Sequence, residues 1–300
     1  MSPAELKRLT EEDARAYLER MRWPNGIACV FCGNTAVTRL QGKATRPGVL
    51  KCKGCRKQFT VTVKSIMERS HIALADWVRA FHKMCASKKG ISALQLAREL
   101  AISYESAWFL CHRIRLAMKK DPLAGMLSGV VEVDETYVGG KSRKGRRGRG
   151  SERKTPVFAA IQRDGRMHAQ PVARVNGDTL KPIIRHLVDR KARVCSDEFG
   201  AYRGLNREFK GGHRVVNHGE GVYSFRGVHV NHCESFFALL KRGVHGVFHH
   251  VSKKHLSRYC DEFSFRWDNR KVTDSERADA AVKGAEGKRL LYLEPIGDGR

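Results

Sequence analysis

Val130-Val131-Glu132-Val133-Asp134 reads as a central β-strand: three β-branched valines with an acid at the end. Two further strands follow, at 157–161 and 167–175, joined at Asp164-Gly165. A helix over 178–188 comes next. Val194-Cys195-Ser196-Asp197 is then another strand ending in an acid, and helices are expected over 233–242 and 253–267. Strand, strand, strand, helix, strand and late helices are the order of an RNase H-like domain. The expected fold class is therefore α/β, a mixed sheet flanked by helices, over residues 126–272. The His/Gly-rich stretch 211–232 carries little regular signal.

That order brings carboxylates from the first strand, a later strand and a helix into one cluster. Asp134, Asp197 and Glu234 occupy those places, with separations of 63 and 37 residues. Two Mg2+ (or Mn2+) ions held by such a trio activate a water or a 3′-hydroxyl and stabilise the leaving oxygen. Magnesium needs few protein carboxylates, because substrate phosphate completes its shell. On the helix, Lys241 follows Glu234 by seven residues, about 700° of turn, so the two share a face. Phe236, Leu239 and Leu240 lie opposite. Periodicity alone leaves open an i,i+7 coincidence on an amphipathic surface helix. Glu132, Glu135 and Glu198 are rival acids, and Glu132, two positions before Asp134, shares its strand face as a supporting residue. His245, His249, His250 and His255 lack matched Cys or carboxylate spacing and read as surface histidines near phosphate.

Upstream, Asp121-Pro122 marks a boundary. Trp77, Val78, Phe81, Met84 and Cys85 make a helical apolar stripe. Ser92 caps a second helix, Ala101-Ile102 turns the chain, and Ser103 caps a third. With Arg113 and Arg115 nearby, 70–120 reads as a DNA-binding helix-turn-helix, the alternative being an ordinary helical bundle. Earlier still, Cys29-Val30-Phe31-Cys32 and Cys52-Lys53-Gly54-Cys55 stand nineteen residues apart, the spacing of a tetrahedral structural zinc site in a ribbon over 26–65. Gly33 and Gly54 suit the knuckle turns. Residues 1–25 hold an N-terminal helix over 2–22, with Thr10 as a cap. Residues 273–300 form a charged, small-residue-rich tail, expected to pack loosely.

Fifty-seven Lys and Arg stand against 31 Asp and Glu, a formal net charge of +26, which points to a polyanion partner. Residues 141–154 carry eight basic side chains against one Glu. Lys141, Arg143, Lys144, Arg146, Arg147 and Arg149, directly after the acid-bearing strand, are candidate phosphate contacts, although the composition alone is also that of a solvated loop. Cys85, Cys111, Cys195, Cys233 and Cys260 read as buried reduced thiols, hence a reducing compartment. No run of 18 apolar residues spans a membrane, and Met1 to Arg20 is too charged for a secretory signal.

Val133-Asp134-Glu135-Thr136-Tyr137-Val138-Gly139-Gly140 resembles the first catalytic strand of bacterial insertion-sequence transposases with an N-terminal zinc ribbon and a DDE-type domain. Ser196-Asp197-Glu198-Phe199-Gly200-Ala201-Tyr202 resembles their second-acid motif, and the segment from Asn231 to Gly243 their third-acid helix with its lysine. His249 to Leu256, Tyr259 to Phe263 and the Arg22-Trp23-Pro24-Asn25-Gly26 lead-in follow the same pattern. The resemblance covers roughly 15–272. It implies a transposase that binds the terminal inverted repeats of its element, cleaves DNA with divalent metal and joins the 3′-OH to target DNA. It implies catalytic roles for Asp134, Asp197, Glu234 and Lys241. Family members vary at the third position, so the register among Asn231, His232 and Glu234 stays open. A homodimer or larger synaptic assembly, and a cytoplasmic, nucleoid-associated location, are the corresponding expectations. The other readings are a domesticated, non-catalytic DNA-binding regulator and an RNase H-like nuclease that does not join strands.

Overall fold

The computed structural model describes residues 1–120, 125–139, 154–222 and 224–296. The chain divides into two units, Met1–Lys119 with Val272–Arg300, and Lys120–Lys271.

The first unit opens with two helices where one was expected, α1 (Pro3–Arg8) and α2 (Glu11–Arg22). The break falls at Thr10, whose side chain accepts the Asp13 amide while Asp13 accepts the Thr10 amide, a reciprocal cap. The ribbon is an antiparallel meander of β1 (Val37–Arg39), β2 (Leu50–Cys52) and β3 (Gln58–Phe59). Its first knuckle places Gly33 at φ 74°, as expected. In the second, the left-handed residue is Arg56 at φ 60°, not Gly54; a Cβ on Gly54 would lie 2.9 Å from Asn34 Nδ2, so the Asn34 side chain would have to shift to admit it. Helices α3 (Leu74–Ala86), α4 (Ala93–Leu100) and α5 (Tyr104–Met118) follow. The α3 stripe of Trp77, Val78, Phe81, Met84 and Cys85 is buried. Its first amides are capped from α2, where the Glu11 carboxylate accepts Leu74 N and Ala75 N at 2.9 and 3.1 Å. Ser92 and Ser103 cap α4 and α5, and Ala101 makes the left-handed turn between them at φ 53°.

The second unit is a mixed five-stranded sheet in the order β6-β5-β4-β7-β8. Its strands are β4 (Val130–Gly139), β5 (Lys154–Gln162), β6 (Met167–Pro171), β7 (Arg193–Asp197) and β8 (His213–Val216). β4 pairs antiparallel with β5 along its length and parallel with β7, so it is central, as its apolar run implied. β8 emerges from the stretch that gave no regular signal. It is an edge strand, parallel to β7, and only Val216 of its four residues is buried. Helix α6 (Gly177–Leu187) covers one face, packing Leu180 and Ile184 against Val131, Val133, Phe158 and Ala160. Helices α7 (Asn231–Gly243) and α8 (Leu256–Asp268) cover the other, with Phe236, Leu240, Phe263 and Trp267 against Val138, Val157, Ala159 and Ile161. Alternation along β4 therefore sends Glu132, Asp134 and Val138 toward α7 and α8, and Val131, Val133 and Glu135 toward α6.

The chain then returns to the first unit with α9 (Asp274–Lys283) and α10 (Leu293–Ile296). This corrects the expectation of a loose tail. Thr273 and Glu276 form a capping box, Ala278 and Ala281 are fully buried, and Tyr17 Oη donates to Asp279 at 2.5 Å. Small residues, read as weak packing, are what let α9 approach closely: a Cβ on Gly284 would collide with the Ala117 carbonyl. Lys288 Nζ donates to the Ala117 and Lys119 carbonyls at the end of α5.

Candidate functional site

The parallel register aligns Glu132 with Cys195, and two residues further along each strand are Asp134 and Asp197. Asp134, midway along β4, thus lies beside Asp197 at the C-terminal end of β7. Asp197 Oδ1 accepts the Phe199 amide and Asp134 Oδ1 the Glu135 amide, at 3.1 and 2.7 Å. Glu234 occupies the first turn of α7, over the same sheet face. Burial drives the Asp134 carboxyl upward first. The charges of Glu135, Asp197 and Glu234 push it further, to about 8. Residues 100 positions apart in sequence therefore act on one carboxyl. Lys241 projects from the same helix into this field. Burial and Lys154 lower its pKa, and Asp134 opposes them. His218 Nδ1 stands 3.9 Å from Glu234 Oε1.

The rival acids have other partners. Glu135 points to the opposite face, where its carboxylate accepts the buried Tyr202 hydroxyl at 2.7 Å. Glu198 accepts the His218 and Gly219 amides at 2.9 and 3.1 Å; its own backbone amide first, and then these two, hold its carboxyl below the usual range. Glu132 is fully buried and bonded to His232 and Arg163. Of the third-position candidates, His232 is engaged with Glu132 and Asn231 begins α7, whereas Glu234 is half exposed and acts on Asp134. Three carboxylates are the donor type that suits Mg2+ or Mn2+, although these three do not lie as close together as the ribbon thiols do, and added positive charge would offset the burial and repulsion that raise Asp134.

The four ribbon thiols converge, with Cys29 Sγ–Cys55 Sγ and Cys32 Sγ–Cys52 Sγ both 3.6 Å apart. A disulfide needs about 2.05 Å. The edge of a zinc tetrathiolate with bonds of about 2.3 Å is about 3.8 Å, close to what is seen. Phe31 N donates to Cys29 Sγ and Cys55 N to Cys52 Sγ, each at 3.4 Å, as suits thiolate acceptors. The other five cysteines are buried and not disulfide-bonded.

Two expected DNA contacts are corrected. Arg113 and Arg115 are 8% and 2% exposed, because the C-terminal half of α5 packs inward. Arg113 donates to the Glu68 carbonyl and lies 4.5 Å from the Phe109 ring centroid, so its stem and head serve the core. The residues that α5 exposes are at its start, Tyr104, Glu105 and Ser106. Lys141, Arg143, Lys144, Arg146, Arg147 and Arg149 lie outside the described residues. His245, His249 and His250 are exposed, and neither they nor His255 enter a convergent ligand group among the described residues. Arg163 and His229, which join Glu132 in a buried network, escaped sequence reading. Their partners are 31 and 97 residues away, and no local pattern marks them.

A mixed five-stranded sheet with Asp134 on its central strand, Asp197 at the end of the adjacent one and Glu234 on a covering helix is the arrangement expected of a DDE-type transposase domain. Residues 126–268 match the ISXO2-like transposase domain, and residues 9–58 match the transposase zinc-ribbon domain. The chain is 30% identical over 273 residues to a Halobacterium salinarum protein described as "Uncharacterized protein in transposable element ISH50", covering 86% of this chain and 91% of that one. The chain belongs to the ISXO2-like family of insertion-sequence transposases.

Proposed function

We propose that this chain is an active transposase: it binds the terminal inverted repeats of its element, cleaves DNA at their ends and joins the freed 3′-OH to target DNA. The charge of Asp197, from the adjacent parallel strand, and of Glu234, from the covering helix, acting on Asp134 supports this reading. The three carboxylates would hold two divalent ions, which would supply an activated water or 3′-hydroxyl and a stabilised leaving oxygen. In cleavage a water oxygen bonds to phosphorus as the P–O3′ bond breaks; in joining, the 3′-hydroxyl attacks a target phosphate and displaces its 3′-oxygen. Lys241, held beside Asp134, places an ammonium where a non-bridging phosphate oxygen arrives.

DNA is gripped by the ribbon and by the start of α5. From Gly26 to Met67 the chain has eight Lys and Arg and no acid. Lys51, Lys53, Arg56, Lys57 and Lys64 are exposed, the last carrying its ammonium 5.1 Å from the Phe31 ring centroid. The four thiolates would hold a zinc ion in a structural role. Two DNA ends require at least a dimer, and the protein acts in the cytoplasm on the nucleoid; no described helix is long and apolar enough to cross a membrane.

The test is cleavage and joining of terminal-repeat DNA with Mg2+ by the wild type and by Asp134→Ala. The variant is expected to bind the repeats but neither cut nor join. Cutting and joining by the variant would refute the assignment. Cutting without joining by the wild type would favour a nuclease, and binding with neither activity a regulator.

A further inference from the structure

We propose that Glu132 is a positioning residue that sets the separation between Asp134 and Glu234, and so the affinity of the site for its metal ions; this rests on the reading of the acid trio given above. Glu132 is fully buried on β4, two residues before Asp134 and on the same face. Its Oε2 accepts the His232 amide at 2.9 Å and its Oε1 lies 2.8 Å from His232 Nδ1. Those bonds reach the first turn of α7, two residues before Glu234. Val230, at the helix start, has no side-chain oxygen to cap it. The cap comes from the neighbouring strand, one hundred residues away.

Arg163 completes the hub. Its Nε donates to Glu132 Oε1 at 2.7 Å, its Nη1 to the Gly227 carbonyl at 2.7 Å and its Nη2 to the His229 carbonyl at 3.2 Å. Its own amide donates to the Val130 carbonyl at 2.9 Å. One guanidinium thus ties the β5–β6 turn, the segment leading into α7 and the carboxylate on β4 into a single frame. His229 Nδ1 stands 3.1 Å from the same oxygen. Glu132, His229 and His232 approach one another closely enough to suggest a metal site of their own. The Arg163 charge on the shared oxygen opposes a cation there, and the hydrogen bonds already fill the carboxylate. The hub supports the trio without joining it.

Residues that orient metal ligands typically change affinity by about 10- to 100-fold when lost. The experiment measures Mn2+ binding to the full-length protein by the electron paramagnetic resonance signal of free Mn2+, beside thermal unfolding, for wild type, Asp134→Ala, Glu132→Gln and Arg163→Gln. Glu132→Gln preserves volume but removes the charge. It is expected to weaken Mn2+ binding by about tenfold at temperatures where the protein is fully folded. Arg163→Gln, at a partly exposed position, is expected to weaken it less and serves as the deciding variant if Glu132→Gln does not fold. Wild-type Mn2+ affinity in the folded hub variant, with lowered thermal stability alone, would reduce Glu132 to a structural residue and overturn the inference. Unchanged Mn2+ affinity in Asp134→Ala would instead remove the metal site itself.

Discussion

Asp134→Asn, made in protein freed of divalent metal, should raise thermal stability while abolishing cleavage. The Asp134 carboxyl is pushed from an ordinary 3.8 to about 8, chiefly by burial and then by Glu135, Asp197 and Glu234. Unfolding releases it to ionise. A raised acid therefore costs the folded state nothing below about pH 4. The penalty grows as pH rises from about 4 to about 8 and is complete above that. Four units correspond to at most roughly 6 kcal/mol. Solvent and relaxation around a half-buried group reduce this to about 2 kcal/mol. For a unit of about 150 residues, that is about 4–8 °C in melting temperature. Asparagine keeps an oxygen for the Glu135 amide, so little is lost in exchange. Calorimetry from pH 4 to pH 8.5 in the presence of a chelator measures the effect. The two proteins should melt together near pH 4 and separate progressively toward pH 8, and added Mn2+ should stabilise the wild type much more than the variant. A variant that melts at or below the wild type at pH 8, or a difference that does not change with pH, would refute the electrostatic account of the cluster.

Two other outcomes are expected. Stripping zinc with a strong chelator, or Cys52→Ser, should unfold the ribbon, because zinc binding of about 10 kcal/mol or more is coupled to folding in such modules; circular dichroism and a mobility-shift assay with terminal-repeat DNA should show loss of structure and of binding together. Lys241→Ala should lower the cleavage rate by about 10- to 1,000-fold, as for loss of one group that stabilises transition-state charge, with a much smaller change in the dissociation constant for DNA measured in the same buffer.

Much of the site was readable from local pattern. Two thiol pairs at knuckle spacing, an acid on each of two apolar strands, and Glu234 seven residues before Lys241 are signals contained in windows of a few residues; the structure carries the first strand five residues past Asp134, to Gly139. The same windows placed the caps at Thr10, Ser92 and Ser103. They failed where burial depends on distant chain. Arg113 and Arg115 looked like surface cations until the C-terminal half of α5 turned inward. Ala278 and Ala281 looked like filler until α9 packed through them. β8 has an edge strand's exposure and so lacks the apolar alternation that would announce it.

The amino-acid sequence alone determined most of the order of the elements, the zinc-type thiol quartet and which strands carry acids, because helical and strand periods and ligand spacings are short-range properties of the chain. Only the tertiary structure decided which partner each of the crowded acids meets. Glu132, Asp134 and Glu135 are consecutive or nearly so, yet one is locked to His232 and Arg163, one opens toward Asp197 and Glu234, and one turns to Tyr202 on the far face. The cost of burying a carboxylate is met by donors 31 to 100 residues away, and that compensation exists only once the sheet and its helices have closed around it.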